Sequence, residues 1–155
     1  MPDFSPNFTL PFPILVPSED VESALPLERT RVTVQITGPA AAVVVTQRFT
    51  NPLKEPAELD YLFPLPEEAA IYAFEVNVGA WRITGDLQEH DAARGAYEEA
   101  KGQGRRTGLF EQRRHNLFAV RLANILPGEA IDVTVRYQER VKYSAMTGQS
   151  LYYLG

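Results

Sequence analysis

The sequence predicts a mainly β fold, an antiparallel β-sandwich or partly closed barrel with one short α-helix at about residues 91–101. Three observations lead there. From Arg29 onward apolar and polar residues alternate with the period of a strand that buries one face. The alternating runs are separated by short glycine- and proline-bearing turns, which suit hairpins and not the long crossovers that parallel strands require. A single window, Asp91 to Lys101, follows the helical period instead.

Residues 1–28 precede this pattern and hold six of the twelve prolines, Pro2, Pro6, Pro11, Pro13, Pro17 and Pro26. They also carry Asp3, Glu19, Asp20, Glu22 and Glu28, with no base before Arg29. Proline fixes φ and lacks an N–H donor, so this stretch is neither a helix nor a central strand. It reads as a Pro-rich acidic arm or linker, with residues 29–155 as the β-rich domain. The spacing of Phe4, Phe8, Leu10, Phe12, Ile14 and Val16 lets part of it lie along the body as an edge strand. Its acids predict docking near the arginine-rich segment after the helix, in the same chain or in a neighbouring copy, so self-association through the arm is an expected contact mode.

In the body, Val32, Val34 and Ile36 alternate with Arg31, Thr33 and Gln35, and Val43, Val45 and Phe49 share one parity. Leu59, Tyr61, Phe63 and Leu65 form the next apolar face, and the Phe63-Pro64-Leu65-Pro66 step predicts an extended edge. Tyr72, Phe74, Val76 and Val78 lead across Gly79-Ala80, a two-residue hairpin with glycine first, into Trp81 and Ile83. Phe118, Val120 and Leu122 run to the Leu126-Pro127-Gly128-Glu129 turn, whose Pro-Gly centre suits type II, and Ile131, Val133, Val135 and Tyr137 return. In the helical window Ala93, Ala96, Tyr97 and Ala100 share one face, Asp91 serves as N-cap, and Gly102 stops the helix after Lys101.

The composition is 45% hydrophobic and 23% charged, that of a globular domain, and 155 residues suffice for one core. A formal net charge of −5 argues against a domain built on phosphates, so nucleic acid is an unlikely partner. The absence of cysteine excludes disulfides, thiolate metal sites and cysteine nucleophiles. The Phe12–Val16 apolar stretch is broken by Pro13 and ended by Pro17, so it fits neither a signal peptide nor a membrane helix. Cytoplasmic residence without a membrane is the resulting expectation.

The order of the pieces carries a further reading. Val43-Val-Val-Thr-Gln-Arg-Phe-Thr-Asn51, Ala57-Glu-Leu-Asp-Tyr-Leu-Phe-Pro-Leu-Pro66, Phe74 to Gly79, and Ile83-Thr-Gly85 come first. The helix from Ala93 to Ala100, Leu109-Phe-Glu-Gln112, Asn116-Leu-Phe118 and Asn124-Ile-Leu-Pro-Gly-Glu129 follow. Together they resemble the vault protein inter-alpha-trypsin (VIT) domain family from about Arg29 to Tyr143. The resemblance implies a module of larger proteins, inter-alpha-trypsin inhibitor heavy chains among them, typically placed before a von Willebrand factor A type domain, with no activity of its own established. No Asp-x-Ser-x-Ser motif of such an A domain occurs in these residues, so that neighbour is expected on a longer chain, on a separate protein, or not at all.

No reactive constellation competes with this reading. Serine is missing between Ser23 and Ser144, which removes a Gly-x-Ser-x-Gly elbow from the body. Glu89, His90 and Asp91 are sequence neighbours that point apart, with no second histidine at helical spacing, so a polar helix start is preferred over a metal site. His115 lies beside Arg113 and Arg114, which disfavour its protonation. The glycine-rich Gly102–Gly108 run follows a helix and lacks the Gly-Lys-Ser/Thr ending of a phosphate loop. No catalytic residue, metal ligand or cofactor is therefore expected.

The charge pattern remains. Acid at Asp86, Glu89, Asp91, Glu98 and Glu99 gives way to Lys101, Arg105, Arg106, Arg113, Arg114 and Arg121. As a functional reading, Arg105, Arg106, Arg113 and Arg114 form a partner-binding surface, since guanidinium forks suit carboxylates and persist at interfaces. The sequence thus predicts a non-enzymatic protein–protein interaction or scaffold module. The alternative is a small anion- or nucleic-acid-binding domain using residues 105–121.

Overall fold

The computed structural model describes residues 13–20, 23–66, 68–85, 90–114, 116–144 and 149–151. Its elements are β1 (Ile14–Pro17), β2 (Leu27–Thr37), β3 (Ala40–Thr50), β4 (Ala57–Pro64), β5 (Ala70–Val78), β6 (Trp81–Thr84), α1 (His90–Gly102), β7 (Thr107–Arg114), β8 (Leu117–Ile125), β9 (Ala130–Arg140), β10 (Lys142–Ser144) and β11 (Gln149–Leu151). Strands β1-β4-β8-β7 form a four-stranded sheet, β2-β3-β9-β5-β6 a five-stranded sheet, and β10-β11 a small ribbon. All pairings are antiparallel. The two larger sheets stay separate, so the fold is a sandwich and not a closed barrel.

Strand alternation builds the core between them. Leu59, Tyr61 and Phe63 of β4 and Phe118, Val120 and Leu122 of β8 meet Val43, Val45 and Phe49 of β3, Phe74, Val76 and Val78 of β5, and the odd-numbered residues 131–137 of β9. Phe74 and Phe118 are only 4% and 2% exposed, as the alternation predicts. The buried Tyr61 hydroxyl donates to Gln47 Oε1 at 2.8 Å, which satisfies two polar groups that face inward. Gly79 has φ 58° and Ala80 does not have positive φ, the pattern of a type II′ hairpin joining Val78 to its partner Trp81. Gly128, at φ 74°, supplies the left-handed third position of the type II turn.

The structure bears out part of the sequence reading and differs from it elsewhere. β1, from the Pro-rich arm, pairs only with Leu59–Leu62 of β4, so among the described residues Phe63 and Pro64 pair with β8 alone, on the edge that the two prolines predict. That part of the arm is an edge strand, but it sits at the opposite side of its sheet from β7, so the described arm does not dock on the Arg105–Arg114 segment. Residues 1–12, which carry Phe4 to Phe12, lie outside the described residues. Finally, Val32 and Ile36 on β2 are 41% and 54% exposed although their parity is that of the core, because β2 is the outermost strand of its sheet and only Val34 reaches the packed interior.

The helix forms a third layer. Phe110 and Leu122 point into the main core, so their strand neighbours Leu109 and Ala123 face the other way, where they close over Tyr97 of α1. Ala96, expected on the buried face, is exposed, while Tyr97 is fully enclosed there. Asp91 lies within the first turn instead of capping it. At the other end the left-handed residue is Gly104, φ 68°, not Gly102: Arg105 N donates to Ala100 O and Gly104 N to Lys101 O, both at 3.0 Å, a Schellman ending.

Candidate functional site

The densest polar chemistry lies where α1 meets the four-stranded sheet. Alternation on β4 sends Leu59 and Tyr61 inward, so Asp60 emerges on the outer face, yet it is 0% exposed. A buried carboxylate costs several kcal/mol unless it is paired and hydrogen-bonded. Arg121, its register partner on β8, grips it with Nε to Oδ1 at 2.8 Å and Nη2 to Oδ2 at 3.0 Å. Ser18 Oγ, just past β1, donates to Oδ1 at 2.9 Å. Arg121 Nε also lies 3.8 Å from Glu58 Oε1, while Glu58 Oε2 accepts from the Tyr97 hydroxyl at 2.8 Å and pairs with Lys101 Nζ at 2.5 Å. The hydrogen bond to Asp60 holds the Arg121 guanidinium well above its ordinary pKa, so it stays charged. Burial, then the bond to Glu58, pushes the Tyr97 phenol up, so it stays a donor. One connected network thus ties arm, sheet and helix together.

A second knot fastens the turn before β9. Asn51, fully buried, donates Nδ2 to Ile125 O and Leu126 O at 3.1 and 3.2 Å, and its Oδ1 accepts from Leu53 N. Glu129 accepts from Leu126 N at 2.7 Å and pairs with Arg106, which also donates to Val78 O at 3.3 Å. Asn124 adopts φ 58°, a conformation asparagine tolerates better than most residues, and its side chain donates to Lys101 O and Arg105 O at 3.4 and 2.8 Å, covering helix-end carbonyls.

These contacts place the arginines expected to bind a partner. Arg105 is exposed in the turn after α1, whereas Arg106 is half-buried against Glu129. Arg113 and Arg114 lie on β7, their side chains outside the described residues, as is His115. Lys101, Arg106 and Arg121, counted as part of a basic run, each hold a carboxylate of this chain. The sequence reading passed over Asp60, Glu58, Tyr97, Asn51 and Asn124. A signal existed for one: an aspartate at the centre of Leu59-Asp60-Tyr61-Leu62-Phe63 must be partnered if that run is buried.

Chemically, the arrangement clamps. Among the described residues the buried carboxylates, Asp60 and Glu111, face guanidinium groups, the latter from Arg94. Among the described residues no group of three His, Cys, Asp or Glu is placed to hold a metal ion, and no helix is long and apolar enough to cross a membrane. A cleft of about 440 Å³ opens beside β5, lined by Leu65, Ile71, Tyr72, Phe74, Phe110 and Phe118 with small residues between them.

Comparison with known proteins gives this geometry a context. The model of the vault protein inter-alpha-trypsin domain matches residues 27–137. The chain is 34% identical over 122 residues to von Willebrand factor A domain-containing protein 5A of Mus musculus, covering 77% of this chain and 15% of that protein. It is 32% identical over 113 residues to Protein mono-ADP-ribosyltransferase PARP4 of Homo sapiens, covering 73% and 7%. It is 27% identical over 126 residues to Inter-alpha-trypsin inhibitor heavy chain H3 of Homo sapiens, covering 80% and 14%. The chain therefore spans about a sixth or less of the length of these relatives.

Proposed function

Because the chain belongs to the vault protein inter-alpha-trypsin domain family, we propose that it is a non-catalytic interaction or scaffold module that packs against a neighbouring domain or a partner chain. A von Willebrand factor A type domain is the first candidate partner, since the relatives include a protein named for one. The observation that carries the reading is a contrast between surfaces. The polar groups gathered under α1 hold one another, while β2 leaves its strand edge and the side chains of Leu27, Val32 and Ile36 open to solvent. Exposed strand edges are templates for pairing with another chain. That the matched unit recurs in relatives with three different names also supports a module separable from any one activity. Arg105, with Arg113 and Arg114, is a proposed contributor to contact; Arg106 is not, because its guanidinium is held by Glu129.

Sedimentation velocity of the chain mixed with a purified von Willebrand factor A type domain tests this. A complex is expected. No complex, together with oligonucleotide binding that weakens by a log–log salt slope of about −0.7 per phosphate, would favour nucleic-acid binding instead.

A further inference from the structure

The five-stranded sheet has an outer face as well as a core face, and strand register maps it residue by residue. Cross-strand partners share a face, so one row reads Arg29, Arg48, Asp132, Asn77, Arg82. The next reads Arg31, Thr46, Thr134, Glu75, Thr84, and beyond it come Thr33, Val44, Arg136 and Ala73. Gln35, Ala42 and Gln138 follow, then Thr37, Ala40 and Arg140. The alternate residues of these strands fill the core, which fixes this set as the outward one. The four-stranded sheet carries α1 on its outer face; among the described residues nothing comparable lies on this one.

Its charge is unlike that of the chain. The face bears six arginines, Arg29, Arg31, Arg48, Arg82, Arg136 and Arg140, against Glu75, Asp132 and Glu28, which accepts from the outward Thr50 hydroxyl, an excess of three positive charges on a chain with formal net charge −5. Arg48 and Arg82 pair with Asp132 and Glu75. Arg29, Arg31, Arg136 and Arg140 make no ion pair within 4.0 Å among the described residues. The face already contains the contact such arginines make: Arg48 donates Nε and Nη2 to the two oxygens of Asp132, both at 3.0 Å.

The geometry points to this outer face as the docking surface for an acidic protein segment, a deepening of the interaction-module reading and dependent on it. Carboxylates fit guanidinium forks two-pronged, which gives direction as well as charge. In an extended segment alternate side chains recur about every 6.8 Å, the step that separates Arg29 from Arg31. Nucleic acid fits less well, because sheet readers of RNA stack two or three bases on aromatic rings, and the large exposed side chains of β2, β3, β5 and β9 include only one aromatic, Tyr72.

The test compares the wild-type chain, the triple variant R31S/R136S/R140S, the milder R31S/R140S and the control K54S at an exposed lysine between β3 and β4, each checked for folding by thermal melt. Poly-L-glutamate, heparin and oligo(dT) are titrated by fluorescence anisotropy at low salt. Polyglutamate is expected to bind the wild type and K54S alike and to bind the triple variant about tenfold more weakly, equivalent to ~1.4 kcal/mol. If the triple variant does not fold, the double variant must show a weakening in the same direction. No polyglutamate binding, no weakening in the variants, or tighter binding of oligo(dT) or heparin than of polyglutamate overturns the proposal, as does self-association that the variants abolish. A complex with a von Willebrand factor A type domain that survives the triple substitution also overturns it while leaving the module reading intact; no protein complex with the wild type removes the module reading itself.

Discussion

Arg121 and Asp60 stand opposite each other on β8 and β4, and the guanidinium holds both oxygens of a carboxylate that has no solvent exposure, at 2.8 and 3.0 Å. Removing one partner strands a buried charge. We expect Asp60→Ala or Arg121→Ala to cost about 3–5 kcal/mol, and the double change Asp60→Leu with Arg121→Met to recover most of it. Urea unfolding of the three variants checks this; equal losses in the single and double variants would show that the pair is not the dominant contribution.

The arm is expected to matter through β1. Leu15 is fully buried in the main core and Val16 is fully buried on the opposite face of the same strand. Leu15→Ala should cost about 2–5 kcal/mol. Deleting residues 1–20 should lower the melting temperature further and bare the β4 edge, so that the truncated chain self-associates. Unchanged melting and a monomer by sedimentation would contradict the structural role of β1.

Two glycines mark close approaches that differ in how readily they yield. A Cβ on Gly85 would meet Phe74 Cδ1 at 2.8 Å, while one on Gly108 would meet Ile83 Cδ1 at 2.6 Å. The Phe74 ring is fixed between Phe110 and Phe118, but the Ile83 methyl is a chain end. Gly85→Ala should therefore cost about 1–3 kcal/mol and Gly108→Ala less, with Ile83→Val relieving the latter. Chemical melts of the two alanine variants rank them, and the reverse order would contradict the argument.

The Glu75 carboxyl is held below its ordinary value of 4.5, first by the Asn77 amide at 2.6 Å and then by Arg82 at 2.5 Å. A lowered folded-state pKa gives stability that is present above the unfolded value, about 4.3, and is lost as pH falls through the folded one. Asn77→Ala should thus be less stable than wild type near neutrality, with the gap closing in acid. Urea midpoints measured across that range check the sign; a gap that widens in acid would refute it.

Much of the sandwich is legible in the sequence, because a period of two marks every strand that buries one face: Phe74 and Phe118 lie where their alternation puts them. The Gly79-Ala80 and Pro127-Gly128 turns, each with glycine at a left-handed position, are legible for the same local reason. Neighbour relations between distant strands are not. Val32 and Ile36 have core parity but lie on an outermost strand, and no local pattern distinguishes an outer strand from an inner one. The placement of β1 against β4 is likewise a long-range choice, which charge in the arm misdirected toward β7. Arg106 and Arg121 look free in a basic run; their carboxylates, Glu129 and Asp60, are 23 and 61 residues away. The outer arginine face is scattered over four strands and assembles only through their register.

We propose that this domain works by presenting an uncovered sheet to another protein while paired buried charges hold the helix and the second sheet together. Amide hydrogen exchange on the chain, alone and with a von Willebrand factor A type domain, tests it most directly. Slower exchange is expected along β2 on binding, where strand-edge amides are open, with little change in the β4 and β8 amides beneath the Asp60–Arg121 pair. Protection that appears only at α1 and the turn after it, or nowhere in the chain, would contradict it.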